Sequence, residues 1–293
     1  MIDKDIKKIK NRALLSLKSL KVSLSLNKYY KEPLVISNIC SNPNNRDYCE
    51  LVVVSFNNSK VISYQIKSLK NFFLYPFRYT VFDNSTDETK AKEILEICTK
   101  ENIRYVKLPH QHFLPKGMVS YSHGIALNYI FRNYINKYSN AEYLGVLDHD
   151  IFCVEQFDIS RYLKEQPYYG LVHHRSCNPS KIKYIWPGFA FYRAEYIHSI
   201  ELDFRPSIRL AGDTGVRLYE SVYSKSVIDI DKLNMVKEEH RFLDNSHNVA
   251  NAGYSFFSSG WIHCWNASNY MELNGMHDKM KAIYNYLDNI FEK

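Results

Sequence analysis

None of the six cysteines (Cys40, Cys49, Cys98, Cys153, Cys177 and Cys264) stands at C-x-x-C spacing from another. In a chain of 293 residues, that speaks against a disulfide frame or a zinc site and for free thiols in a reducing compartment. No run of about 18 or more apolar residues occurs, so no membrane-spanning helix is expected. The N-terminus lacks the basic, apolar and small-residue succession of a secretory signal, which makes the cytoplasm the expected location. Net charge is also scarce over most of the chain. Residues 1–32 hold +6 of the formal +7, from nine bases against three acids, and the other 261 residues hold only +1. A nearly neutral body speaks against a nucleic acid as partner. What the sequence has in plenty is aromatic side chains, 24 Tyr and 16 Phe, and length enough to bury a substantial core.

The charged end has a pattern of its own. Ile2, Ile6, Ile9, Ala13, Leu17, Leu20 and Leu24 follow helical spacing, with Lys4, Lys7, Lys8 and Lys18 opposite them. A basic amphipathic helix of this kind suits an anionic membrane surface. The plainer reading is a helix packed on the protein's own body, and Leu20, Val22, Leu24 and Leu26 also alternate as a strand would. Residues 27–49, with Asn-Pro-Asn-Asn at 42–45, read as a linker. At the other end, Met276, Met280, Ile283, Leu287 and Ile290 mark a C-terminal helix with one packing stripe.

Between these ends strand and helix alternate. Leu51 to Phe56 is an apolar run ending in Asn57-Asn58, and Ser59 is a fitting N-cap for a helix carrying Val61, Ile62, Ile66 and Leu69. Arg78 to Phe82 is the next strand, running into Asp83-Asn84-Ser85-Thr86-Asp87, and a helix follows through Ile94, Leu95 and Cys98. Ile103 to Leu108 is a third strand. Ser122-His123-Gly124-Ile125-Ala126-Leu127-Asn128 then opens a helix through Phe131 and Tyr134. A fourth strand, from Tyr143, ends in Asp148-His149-Asp150. Four such units predict an α/β fold with a mainly parallel sheet flanked by helices.

The end of that fourth strand carries the clearest chemistry. Strands of open α/β sheets deliver ligand-binding groups at their carboxyl ends. On an extended backbone, side chains at i and i+2 leave the same face, about 6–7 Å apart. A turn at His149 would bring Asp148 and Asp150 to one hard cation, Mn2+ or Mg2+. Such sites use one or two carboxylates together with the phosphates of a substrate.

The order strand-Asn-Asn, Val-Phe-Asp-Asn-Ser-Thr-Asp-Glu, Ser-His-Gly-Ile-Ala-Leu-Asn and apolar-Asp-His-Asp resembles the GT-A-fold glycosyltransferases, in particular their family 2. The resemblance covers residues 50–152 clearly and reaches more weakly to about Asn269. It implies a Rossmann-like nucleotide-sugar-binding half over 50–152 and an acceptor half with a C-terminal helix over 153–293, after a basic extension and linker at 1–49. It implies that Phe56, Asn57 and Asp83 hold the donor's base and ribose. Asp148 and Asp150 would hold the metal on the donor diphosphate, with Asp148 also near the ribose. A late histidine serves some GT-A enzymes as a further metal ligand, and His263 resembles it in position. The sequence departs from the family pattern in His149 and in Asn84-Ser85-Thr86, which stand where other residue types are common.

Sugar transfer also needs a base for the acceptor hydroxyl, and Asp213, in Ala211-Gly212-Asp213-Thr214-Gly215, is the candidate, with an N-cap as its plainer role. Glu238, Glu239 and His240 stand next in line. Trp186 and Gly188, in Trp186-Pro187-Gly188-Phe189, suit a sugar or acceptor wall. His173-His174-Arg175, at the end of a strand from Tyr169, reads first as a solvated strand end and second as a cation for the diphosphate. The expected activity is metal-dependent transfer from a nucleotide sugar to a hydroxyl of a glycan or lipid-linked acceptor, with inversion, in bacterial surface polysaccharide synthesis. Two other readings share parts of this pattern: a haloacid-dehalogenase-like phosphatase and a non-catalytic sugar-binding module of the same fold. The first would carry Thr or Val where Phe152 stands.

Overall fold

The structure, a computed structural model, describes residues 24–38, 46–115, 118–177, 180–198, 200–224, 228–242, 253–265 and 276–292. The stripe expected over residues 2–20 and the Asn-Pro-Asn-Asn stretch lie outside them. The main sheet has seven strands: β1 (Val35–Asn38), β2 (Cys49–Ser55), β3 (Phe77–Asp83), β4 (Arg104–Lys107), β5 (Tyr143–Asp148), β7 (Tyr168–Cys177) and β8 (Ser180–Arg193), in the order β1-β4-β3-β2-β5-β8-β7. β2, β3, β4 and β5 are parallel neighbours, and β1 and β8 run against them at either side. A second sheet, β6-β11-β10-β9, is antiparallel and joins β6 (Ile151–Cys153) to β9 (Glu238–Phe242), β10 (Gly253–Phe257) and β11 (Trp261–His263).

All seven residues of β2 are buried, which is why that run carries no polar alternation. Val52 and Val54 face a core shared with helix α3 (Val119–Ile130), while Leu51 and Val53 face one shared with α1 (Ser59–Phe72) and α2 (Glu88–Lys100). The C-terminal helix α4 (Met276–Phe291) is present as its spacing predicts. Met280, Ile283 and Leu287 are buried against Phe152 and Ile262 of the second sheet and Val61 of α1.

Three local expectations change. The cap of α1 is Asn58, whose side chain accepts from Val61 N at 3.2 Å, whereas Ser59 donates to Glu93. α3 begins at Val119, before Ser122, and continues into a π-helical turn at Phe131–Ile135. Part of the segment expected as linker is structured. Residues 24–29 are helical, Leu26 and Tyr29 are buried, and β1 pairs with β4. Tyr29 packs on Phe113 and Tyr129, and Asn133 donates to the Tyr30 carbonyl. The aromatic surface gained by docking these residues outweighs the absence of any long apolar run.

The order of the parallel strands locates the site. The chain lays β2, β3 and β4 outward in one direction, then returns to place β5 on the other side of β2. The crevice at the carboxyl ends of β2 and β5 is therefore a topological switch point, where open α/β sheets bind ligands.

One buried charge pair underlies the sheet. Glu50 and Arg78 are neighbours across β2 and β3 and form an ion pair with almost no exposed surface. Thr80 and Tyr134 donate to the other Glu50 oxygen. Burial nevertheless holds the Glu50 carboxyl above its ordinary range, with Arg78 opposing it. Removing one partner of a buried pair costs about 3–5 kcal/mol, so Arg78→Met should destabilise the fold by that order at pH 8. The folded state would then bind the Glu50 proton more tightly than the unfolded chain does, so the loss shrinks as pH falls towards the unfolded value of about 4.3. Urea unfolding at pH 5 and pH 8 checks this, and an equal loss at both would contradict it.

Candidate active site

Asp148 ends β5, His149 and Asp150 make a tight turn, and β6 leaves at Ile151. β11 pairs antiparallel with β6, with His263 opposite Ile151, so the second sheet brings a residue 113 positions downstream of Asp150 to this turn. One ligand atom from each of Asp148, Asp150 and His263 lies within 4.8 Å of the others. His263 Nε2 stands 3.6 Å from Asp150 Oδ1. Two carboxylates and an imidazole are a fitting donor set for a hard-to-borderline divalent ion such as Mn2+.

Main-chain contacts hold the turn from two sides. Gln65, on α1 and fully buried, donates from Nε2 to the carbonyls of Asp148 and Ile151, both at 2.8 Å. Cys264 N donates to the Asp150 carbonyl at 2.9 Å. The surroundings are dry and crowded. Burial and the neighbouring Asp213 carboxylate push the Asp148 carboxyl up to about 7, although 24% of its side chain is open. Burial, with Lys279 and three other histidines nearby, pushes the His263 imidazole down to about 3, and burial takes His123 and His149 to about 4. These imidazoles are neutral at pH 7, as a metal ligand must be.

The other expected residues fall into two groups. Asp213, Trp186 and Gly188 come to the recess. Asp213 is exposed and near enough to raise both Asp148 and His123. Its carboxylate accepts from its own neighbour, Thr214 N, at 2.8 Å, and Thr214 ties the loop to the Ser120 carbonyl of α3. No regular α-helix follows it, only turns and a π-helical turn at Tyr219–Tyr223. The Trp186 ring contacts both His173 (5.5 Å, 8° between planes) and His263 (4.8 Å, 39°). A Cβ on Gly188 would come within 2.1 Å of that indole, so only glycine admits it here. His173, read as a solvated strand end or a cation for the diphosphate, stacks on Trp186.

Phe56 and Asn57 follow β2, and Asp83 ends β3. Asp83 has no exposed surface. Its oxygens accept from Ser55, Ser85, Tyr105 and Lys107, which brace the loops around it. Asn57, in the left-handed region at φ 47°, accepts from Thr86 N and Asp87 N and pins the β2 loop to the β3 loop. Phe56 is half-buried. Asn84 and Gln111 remain near the surface beside them, both bonded to Ser122.

No family model and no curated protein matches the sequence. Among solved structures, matches include a mannosyltransferase from Pyrobaculum calidifontis in complex with GDP-Man and Mn2+, with 13% identity, 63% of this chain and 55% of that chain covered, and a TM-score of 0.35. S. aureus TarS 1–349 in complex with UDP has 18% identity, coverage of 61% and 58%, and a TM-score of 0.39. Core-mannan synthase A from Aspergillus fumigatus, in an Mn/GDP form, has 12% identity, coverage of 58% and 65%, and a TM-score of 0.35. The chain is similar to GT-A-type glycosyltransferases. It spans less than two thirds of the length of these three, and TM-scores below 0.5 are too low to assign it an activity.

Two residues of the recess escaped the sequence reading. His123 Nε2 stands 3.5 Å from Asp148 Oδ1; its stretch is one of the motifs behind the resemblance, but no role falls to the histidine from it. Gln65 had a signal: it is a polar residue inside the apolar stripe of Val61, Ile62, Ile66 and Leu69. For the metal set itself the expected outcome is simple. Asp150→Asn should weaken Mn2+ binding at least tenfold, read by electron paramagnetic resonance, while circular dichroism shows an intact fold. Wild-type affinity in that variant would remove Asp150 from the ligand set.

Proposed function

We propose that the protein is a glycosyltransferase that moves a sugar from a nucleotide-sugar donor to a hydroxyl of a glycan or lipid-linked acceptor. The observation that carries this is the convergence of Asp148, Asp150 and His263 at the switch point, with Asp213 across from them. Asp148, Asp150 and His263 would hold a divalent ion, Mn2+ or Mg2+, which when bound offsets the charge of the donor diphosphate. The chain's own groups do the rest. Asp213, on its exposed turn, takes the proton of the acceptor hydroxyl. The acceptor oxygen then bonds to the sugar's anomeric carbon, and the bond from that carbon to the diphosphate oxygen breaks with its electron pair leaving on the diphosphate. A single displacement of this kind inverts the anomeric centre. Trp186, half-buried against His173 and His263, would offer the part of its indole left open as an apolar contact for a sugar ring.

Asp213→Asn should keep donor binding and lower transfer by about 10²–10⁴, the usual contribution of general base catalysis. A panel of nucleotide sugars with Mn2+, followed by release of nucleoside diphosphate, checks both halves. Phosphate release from simple esters instead would favour the phosphatase reading. Donor bound without turnover, whatever acceptor is offered, would favour a sugar-binding module.

We place this activity at the cytoplasmic face of an anionic membrane, in synthesis of a bacterial surface polysaccharide. The support is the basic stripe of residues 1–23 and a composition rich in Lys, Asn, Ile and Tyr. No helix among the described residues is long and apolar enough to cross a membrane. Each base near an anionic surface contributes about 1 kcal/mol within a Debye length of about 8–10 Å. Deleting residues 1–23, which spares the buried Leu26 and Tyr29, should release the protein from anionic vesicles and leave transfer to a soluble acceptor intact. Full-length protein that ignores such vesicles at low salt would contradict the membrane placement.

A further inference from the structure

Resting on the metal site proposed above, we infer that Gln65 is its positioning residue: its buried carboxamide holds the Asp148–Ile151 turn in the shape that brings Asp148 and Asp150 to His263. A carboxamide has two N–H donors and one carbonyl acceptor. Both donors of Gln65 are spent on the carbonyls of Asp148 and Ile151, at 2.8 Å each, and its oxygen accepts from the Tyr79 hydroxyl on β3. The orientation follows from chemistry: two main-chain carbonyls can only accept, so the amide nitrogen must face them. The hydroxyl of Tyr79 then fixes the other end. Gln65 and Tyr79 are both buried, with 0% and 2% exposure, so water cannot take over either role.

The geometry asks for such a clamp. The carbonyls of Asp148 and Ile151 flank the turn on either side, and neither is satisfied within it. Asp148 and Asp150 put two carboxyl groups in one turn, with the Asp213 carboxylate also acting on Asp148, and when ionised without a cation these groups repel one another. That repulsion favours opening the turn, and Gln65 opposes it from the helix side as Cys264 N does from the β11 side. The same helix adds a second fixed point, since Ser68 Oγ accepts from Cys153 N and donates to the Gln65 carbonyl. Partners that orient metal ligands without touching the ion typically change its affinity by about 10–100-fold when removed.

The test is titration of the full chain with Mn2+ alone, read by electron paramagnetic resonance, beside thermal unfolding in chelator. Gln65→Met keeps the shape and removes all three hydrogen bonds; the expected result is a Kd for Mn2+ about 10–100-fold higher. Tyr79→Phe, which removes only the orienting hydroxyl, should weaken Mn2+ in the same direction and by less. Arg78→Met, destabilised but remote from the turn, should keep the wild-type Kd, which separates positioning from stability. Wild-type Kd in folded Gln65→Met overturns the inference, as does an equal loss in Arg78→Met. If Gln65→Met does not fold, unchanged affinity in Tyr79→Phe overturns it. The metal reading fails separately: no saturable Mn2+ binding in the wild type ends both. Binding that Asp150→Asn abolishes and Gln65→Met leaves intact ends only the role of Gln65.

Discussion

Asp148 and Asp150 are two carboxylates in one tight turn, a third (Asp213) stands close by, and the carbonyls of Asp148, Asp150 and Ile151 are each held from outside the turn. The rest of the molecule depends on that arrangement being kept. α1 contributes Gln65 to one side. β11 supplies Cys264 N and His263 to the other, and it can do so only because β11 pairs in register with β6. α4 closes the second sheet from behind, where the buried Lys279 ammonium donates to the Gly253 and Trp265 carbonyls. Two sheets and two helices therefore converge on four residues.

The rim opposite is built by satisfied polar groups instead of packing alone. Asp83 gathers donors from β2, the β3 loop and β4, and Asn57 staples two loops together. Buried carboxylates are tolerated only when hydrogen-bonded or paired, and both Asp83 and Glu50 meet that condition by different means. Glu50 lies on an ion pair within the sheet. Asp83 lies at its carboxyl edge, with Lys107 and a set of hydroxyls around it. The result is a firm floor under a recess whose third wall, the Asp213 loop, is tied to α3 through Thr214 and Ser120.

Much of this was legible in the sequence, and the reason is periodicity. β2 and β5 are buried almost throughout and read as apolar runs (Leu51 to Val54, Leu144 to Leu147) followed by polar residues, while β3 and β4 carry buried charged residues among their apolar ones. An Asp-x-Asp after an apolar run is common by itself, and Asp148 and Asp150 stand out because three further motifs precede them in the order the resemblance requires. What stayed hidden depends on long-range pairing. β1 is an edge strand with alternating exposure, so it offers no apolar run and reads as linker. That β11 lies beside β6 is not written in either stretch, and His263 came forward only through a family resemblance. Asp83 looked like a binding residue because its position was right. Its burial follows from Tyr105, Lys107 and Ser55, which arrive from three other places in the chain. Asn58 and Ser59 are both good caps, and only the backbone geometry chooses between them.

In the proposed function, the turn after β5 and the end of β11 together hold one divalent metal ion. The most direct measurement is an anomalous difference map at the manganese edge from crystals soaked in Mn2+. The account predicts one strong peak within coordinating distance of Asp148 or Asp150 and of His263, at the β2–β5 crevice. No peak there, or a peak only at other carboxylates, would contradict it.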